Sequence, residues 1–150
     1  MEISRLDTFK FKVKGKSATV TFDLGQVSID DFNIFGPGEY EVHEVAVLGA
    51  KSEDHQIFRV KIDKVTFLYP GLMSEKIKDQ TLEDIDGVDV LFTSAAQIVS
   101  QIEPKLVIPF GEEEPVQKII KDLGKDGTLK VPKLVTSADK LPDLLEVVWL

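Results

Sequence analysis

The feature that most constrains the fold is an alternation of apolar and polar residues with a period of two. Phe9, Phe11 and Val13 alternate with lysines, and a similar alternation returns in residues 18–22. Such alternation is typical of a strand with one buried and one solvated face. Gly15 lies between the two segments, which therefore form a predicted hairpin.

Short strands joined by turns continue this pattern up to Tyr69. We predict strands over residues 27–29, 39–42, 45–48, 57–62 and 65–69. Gly36-Pro37-Gly38 is a strong turn signal, and residues 63–64 mark a tight turn. Residues 43–44 are expected to form a bend and residues 49–55 a polar loop. The first half of the chain is thus predicted to be a β-meander with almost no helix.

The second half alternates compact apolar segments with segments of helical spacing. We predict strands over residues 88–92, 106–109, 129–131, 134–135 and 144–150, and helices over residues 95–102 and 113–123. Strands alternating with helices indicate crossover connections. A chain of 150 residues is one domain's worth of sequence. We therefore expect a single β-rich α/β domain over residues 1–150.

Charge and cysteine content exclude several classes of protein. The chain carries 18 basic and 26 acidic residues, a formal charge of −8, so nucleic-acid binding is disfavoured. Lys10, Lys12 and Lys14 are interpreted as the solvated face of a strand, and a nucleic-acid surface there is the weaker alternative. The absence of cysteine excludes disulfides and thiolate metal sites and fits a cytoplasmic location. No signal peptide and no stretch long enough to span a membrane is evident.

Several segments, in order, carry a family resemblance. Residues 35–42 read Phe-Gly-Pro-Gly-Glu-Tyr-Glu-Val, and residues 45–49 read Val-Ala-Val-Leu-Gly. Residues 57–72, 88–92 and 102–109 follow, and the chain ends in Val-Val-Trp-Leu. Together they resemble the metallo-β-lactamase superfamily, in the branch of L-ascorbate-6-phosphate lactonase-like proteins and predicted zinc-dependent hydrolases. The resemblance implies a reduced αββα sandwich of two mixed sheets with few outer helices.

The residues that give this family its chemistry are missing from the chain. The family holds one or two zinc ions with a His-x-His-x-Asp-His motif, a bridging aspartate and further histidines, and the metal supplies hydroxide at neutral pH. The only histidines here are His43 and His55. Gly71 and Gly111 stand where the bridging aspartate and the last histidine would be. We predict no catalytic residue and no zinc cofactor; His43, His55 and Asp54 are weak candidates for a different metal site.

Other catalytic arrangements have little support in the sequence. Ser94 lies outside a Gly-x-Ser-x-Gly elbow and has no histidine in an identifiable order. Gly36 and Gly38 do not precede a predicted helix, so they are not read as a phosphate-binding loop. The acidic run at residues 112–114 is explained by a solvated helix start.

Two functions from different classes remain open. The favoured one is a degenerate, non-catalytic binding or assembly module whose partner is another copy of the chain or another protein. The alternative is a metal-dependent hydrolase of an ester, lactone or phosphodiester, with a rearranged or partner-completed site. Seven apolar residues are predicted to surround the vacated site, either as an interface or repacked into a smaller core: Phe32, Ile34, Phe35, Tyr69, Leu72, Met73 and Phe110.

Overall fold

Two β-sheets packed face to face make up most of the molecule, which the computed structural model describes from Met1 to Leu150. In chain order the strands are β1 Glu2–Asp7, β2 Lys10–Lys14, β3 Thr19–Asp23, β4 Gln26–Ile29, β5 Phe32–Ile34, β6 Gly38–Val42, β7 Val45–Ser52, β8 His55–Ile62, β9 Val65–Tyr69, β10 Val90–Thr93, β11 Leu106–Pro109, β12 Leu134–Val135 and β13 Glu146–Val147. The helices are α1 Asp79–Asp84, α2 Ala96–Ile102 and α3 Glu113–Asp122, with a 3-10 turn at Ala138–Lys140.

The first sheet is antiparallel throughout and has the strand order β12-β1-β2-β3-β4-β5. The period-two pattern predicts one buried face for each strand, and Phe11 and Val13 of β2 and Phe22 of β3 are indeed buried between the sheets. The alternate residues, including Lys12 and Thr21, lie opposite each other on the outer face. This face is polar and needs no cover from a helix.

The second sheet is mixed and has the order β13-β11-β10-β9-β8-β7-β6. Strands β13, β11, β10 and β9 run parallel, whereas β9 to β6 form an antiparallel meander. Every residue of β9, β10 and β11 is buried. Parallel strands covered on both faces require such continuous apolar segments.

The protein has three layers, since all three helices pack against the second sheet. The larger hydrophobic core lies between the two sheets, and a smaller core lies between the second sheet and the helical side. The predicted β-rich α/β fold, with two sheets face to face and few outer helices, is confirmed. No helix of the structure is long and apolar enough to cross a membrane.

The structure corrects three local predictions. The predicted loop at residues 49–55 is instead a continuation of β7 and β8 around a two-residue turn, because Ala50 pairs with Ile57 and extends the ladder to Ser52 and His55. Strand β1 was not predicted, since it shows a single buried residue, Ile3. The predicted strand over residues 144–150 is reduced to β13 and one isolated bridge, and residues 129–131 contribute only to that bridge.

Candidate functional site

The carboxyl ends of the parallel strands are where an open α/β sheet most often binds a ligand. Strand β9 is followed by Pro70-Gly71, and β11 by Phe110-Gly111. Gly71 and Gly111 therefore lie at the same edge of the second sheet. The side chains next to these glycines therefore decide whether this edge can bind metal or catalyse a reaction.

Aromatic rings fill the space between the sheets at this edge. Tyr69 and Phe110 are completely buried, and their rings stack with centroids 5.3 Å apart and an interplanar angle of 13°. Phe22 of the first sheet stacks on Tyr69 at 5.6 Å, and Phe9 meets Phe110 edge-on at 6.0 Å. The two sheets are thus joined by a packed aromatic cluster at the strand ends.

The hydroxyl of Tyr69 is satisfied within the protein. It donates a hydrogen bond to the main-chain oxygen of Phe9. Burial raises the pKa of the Tyr69 phenol strongly, and the negative charge of Asp23 adds to the effect. The side chain is therefore a neutral donor that connects the sheets and is far from the ionised form a nucleophile or base would need.

The residues at this edge do not fit the zinc site that the resemblance implies. Gly71 and Gly111 have no side-chain ligand atoms. The φ of Gly111 is +124°, a main-chain conformation that residues other than glycine rarely adopt. Nowhere in the structure do three or more His, Cys, Asp or Glu side chains come together in a group that could hold a metal ion. A hydrolytic zinc site normally takes three protein ligands and keeps one position open.

The three weak metal candidates lie at opposite ends of β7. His43 is in the turn between β6 and β7, whereas Asp54 and His55 are at the turn between β7 and β8. An eight-residue strand separates the two turns by about 25 Å. The structure therefore does not bring the three side chains together.

His43 instead makes a side-chain contact with Asp30 that sequence reasoning missed. Its Nδ1 lies 2.7 Å from a carboxylate oxygen of Asp30, in the turn between β4 and β5. The carboxylate also accepts a 3.0 Å hydrogen bond from the amide of Thr19. These two interactions, the amide first, lower the pKa of Asp30. The pair joins the two sheets, and no local sequence signal identifies it because 13 positions separate the residues.

The seven apolar residues predicted around the vacated site divide into two groups. Ile34, Tyr69, Met73 and Phe110 are buried in the hydrophobic cores and offer no exposed surface. Phe32, Phe35 and Leu72 are exposed by 50%, 63% and 47%. The first group is therefore part of the core, whereas the second is exposed on the single chain.

A groove lies beside α2, which follows β10. It has a volume of about 590 Å³ and is lined by residues of α2, by Pro104, and by Leu123 and Leu145. Its ionisable groups are the carboxylates of Glu103 and Asp122. It contains no pairing of a nucleophile with a base.

Comparison with solved structures identifies the fold. A crystal structure from Thermotoga maritima, described as a candidate Zn-dependent hydrolase of the metallo-β-lactamase superfamily, superposes with a TM-score of 0.75. The two chains are 16% identical, and the match covers 99% of this chain and 97% of the other. This likeness shows that the chain has a metallo-β-lactamase fold, and the two coverages show that both chains are similarly short. No family model and no curated protein matches the chain.

Proposed function

We propose that this protein is a degenerate member of the metallo-β-lactamase superfamily that acts as a non-catalytic binding or assembly module. The lactonase-like branch suggested by the Gly-Pro-Gly-Glu-Tyr segment is part of this proposal. The observation that carries it is the stacked pair of Tyr69 and Phe110, which fills the space between the sheets at the strand ends. Fold alone does not imply function, so the argument depends on these side chains.

The chemistry of zinc hydrolysis supports the proposal. A metal-bound hydroxide needs side-chain ligands, an open coordination position and room for the substrate. Gly71 and Gly111 supply no ligand, and the buried rings of Tyr69 and Phe110 take up the adjacent volume. We therefore expect that a metal chelator has no effect on the stability of the folded chain.

The surface supports a role in protein binding. Phe32, Phe35 and Leu72 expose large apolar side chains, and these side chains would mark an interface where they form a contiguous patch. The partner is another copy of the chain or a different protein. Nucleic acid is disfavoured by the formal charge of −8, and the cytoplasmic location stays a prediction.

One observation favours the alternative hydrolase. Asp7 and Asp23 line a pocket of about 250 Å³ together with Lys10 and with Phe9, whose main-chain oxygen accepts the hydrogen bond of Tyr69. Two carboxylates are fewer than a hydrolytic zinc site needs, so a second copy of the chain would have to supply at least one further ligand. This arrangement would be a rearranged, partner-completed site for an ester, lactone or phosphodiester.

A hydrolysis assay separates the two functions. The protein is incubated with bis(p-nitrophenyl) phosphate, a p-nitrophenyl ester and a simple lactone, each with added zinc, manganese or ferrous iron. We expect no turnover above that of the metal ions alone. Turnover that requires a metal and is lost in the double variant Asp7→Asn/Asp23→Asn would instead establish the alternative.

A further inference from the structure

The negative charge of the chain is concentrated in one stretch. Residues 17–50 contain no lysine or arginine and six carboxylates, so this stretch carries −6 of the formal −8. Five of the six lie in or next to the edge strands β5 and β6: Asp30, Asp31, Glu39, Glu41 and Glu44. Among these five, only Asp30 contacts a basic side chain, that of His43. The remaining carboxylates are available to a partner.

Strand β6 has an open edge. It is the last strand of the second sheet and pairs only with β7. His43 and Glu44 form a two-residue turn with φ values of 49° and 66°, as a type I′ hairpin requires. In such a hairpin the residues that flank the turn exchange both hydrogen bonds, and hydrogen-bonded pairs then alternate along the ladder. Tyr40 therefore bonds to β7, whereas Glu39 and Glu41 direct their N–H and C=O groups to the open edge.

The two faces of β6 differ in chemistry. Glu39 and Glu41 are exposed on the helical side, in a groove of about 430 Å³ that also includes Asp84 and Arg59. The guanidinium of Arg59 is already bonded to the main-chain oxygen of Asp86, so carboxylates outnumber free cations in the groove. On the other side, Tyr40 and Val42 are half-buried and pack against the core between the sheets. A strand added at this edge would meet carboxylates on one face and apolar groups on the other.

The Gly-Pro-Gly segment holds β6 in place. A Cβ atom at Gly49 would lie 2.5 Å from the main-chain oxygen of Gly36, so the turn packs directly against the backbone of β7. The hydroxyl of Tyr40 donates a 3.2 Å hydrogen bond to the oxygen of Pro37. The edge is therefore supported by local contacts, and a partner strand would find it already ordered.

Like charges disfavour a second copy of the chain at this edge. In an antiparallel β6–β6 pair centred on Tyr40, Glu39 of each copy would lie directly opposite Glu41 of the other copy. Like charges directly opposite each other destabilise a strand pair, and charged edges are a known protection against self-association. The same charges attract a basic segment.

We propose that the edge of β6 binds an extended segment of a partner protein that has Lys or Arg at alternate positions and apolar residues between them. The proposal deepens the non-catalytic binding role and rests on it. The added strand forms main-chain hydrogen bonds with Glu39 and Glu41, which is the β-augmentation mode of peptide recognition. Its basic side chains pair with the two carboxylates, and its apolar side chains pack beside Tyr40 and Val42.

The test uses a nine-residue peptide that alternates Lys and Val, with blocked ends, added to the whole protein. We expect saturable binding by fluorescence anisotropy, weakened by salt, with amide NMR shifts centred on residues 38–42. A peptide with Glu in place of each Lys should not bind. A peptide N-methylated at alternate amides on the pairing edge should lose binding, because strand addition requires those donors.

Two double variants of equal net charge distinguish the effect of the carboxylates at the β6 edge on peptide binding from the effect of the overall charge. Glu39→Lys/Glu41→Lys should weaken binding about tenfold or more, from the loss of two ion pairs and the new repulsion. Glu113→Lys/Glu114→Lys changes the net charge equally, at the exposed start of α3, and should leave binding within about twofold, because charges beyond a Debye length are screened.

Three results would overturn the proposal. The first is an equal loss of peptide affinity in the two double variants, and the second is undiminished binding of the methylated peptide. The third is a dependence of the β6 amide NMR shifts on protein concentration in the absence of peptide, which would show a second copy at the edge. Any of them leaves the proposed non-catalytic role intact. That role fails separately, if the hydrolysis assay shows metal-dependent turnover.

Discussion

The hydroxyl of Tyr69, at the end of β9 in the second sheet, donates a hydrogen bond to the main-chain oxygen of Phe9, immediately before β2 of the first sheet. The bond spans the core at the edge where a metallo-β-lactamase fold would be expected to hold its metal. The Tyr69 side chain therefore joins the two sheets at the carboxyl ends of the parallel strands.

Removing the Tyr69 hydroxyl should destabilise the protein. Tyr69→Phe leaves the carbonyl of Phe9 without its donor, at an expected cost of about 1–2 kcal/mol in the free energy of unfolding. Tyr40→Phe is the matched control, because its hydroxyl bonds to Pro37 at a more exposed position and should cost about 0.5 kcal/mol or less. Urea denaturation measures both, and equal effects would contradict the assigned role of Tyr69.

The raised pKa of Tyr69 predicts a loss of stability at alkaline pH. A group whose pKa is higher in the folded state contributes its full stabilisation below its unfolded pKa, here 10.0, and loses it as the pH rises above that value. The advantage of the native protein over Tyr69→Phe should therefore shrink above pH 10, by up to about 1.4 kcal/mol per pH unit. A difference that stays constant from pH 8 to pH 11 would argue against a buried phenol.

Phe110 should be among the most sensitive positions of the fold. Phe110→Ala removes a fully buried ring that stacks on Tyr69, and we expect a loss of about 3–5 kcal/mol. Phe35→Ala removes a ring that is 63% exposed and should change stability by about 0.5 kcal/mol or less. Thermal or urea unfolding of the pair is sufficient, and a small effect at Phe110 would mean that the strand ends are loosely packed.

The strands and helices were largely predictable because their signals are local. The period-two pattern around Phe11 identifies β2 and β3, and the acidic start of α3 with its apolar stripe identifies that helix. The polar residues around Glu53 predict a loop, but the structure extends β7 and β8 there because cross-strand pairing does not require hydrophobic residues.

The content of the site was less predictable than its position. The sequence places Gly71 and Gly111 after strands, but it does not show whether Tyr69 and Phe110 face solvent or each other. That depends on how the two sheets align, which no local pattern specifies. The pairing of Asp30 with His43 was missed for the same reason, since the turns that hold them belong to different sheets.

The Asp30–His43 pair predicts a specific response to acid. The lowered pKa of Asp30 means that its stabilisation is present above its unfolded pKa of 3.8 and is lost as the pH falls through the folded value. Asp30→Asn keeps a residue type that tolerates the positive φ of 50° but removes the charge. The variant should be less stable than the native protein at pH 6, and the gap should close below pH 4.

The control for this prediction is Asp31→Asn. Asp31 forms no ion pair or side-chain hydrogen bond, so this variant should match the native protein across the same pH range. Urea unfolding at several pH values measures both variants. A pH-independent gap for Asp30→Asn would show that the charge of the carboxylate does not matter.

The most direct test of the account is the metal content of the protein, purified without chelators or a histidine tag and measured by mass spectrometry of zinc, iron and manganese. The account predicts no stoichiometric metal, because Gly71 and Gly111 stand where ligands would be needed and no three His, Asp or Glu side chains converge. One or two equivalents per chain would contradict it and would make a metal-dependent hydrolase the leading function.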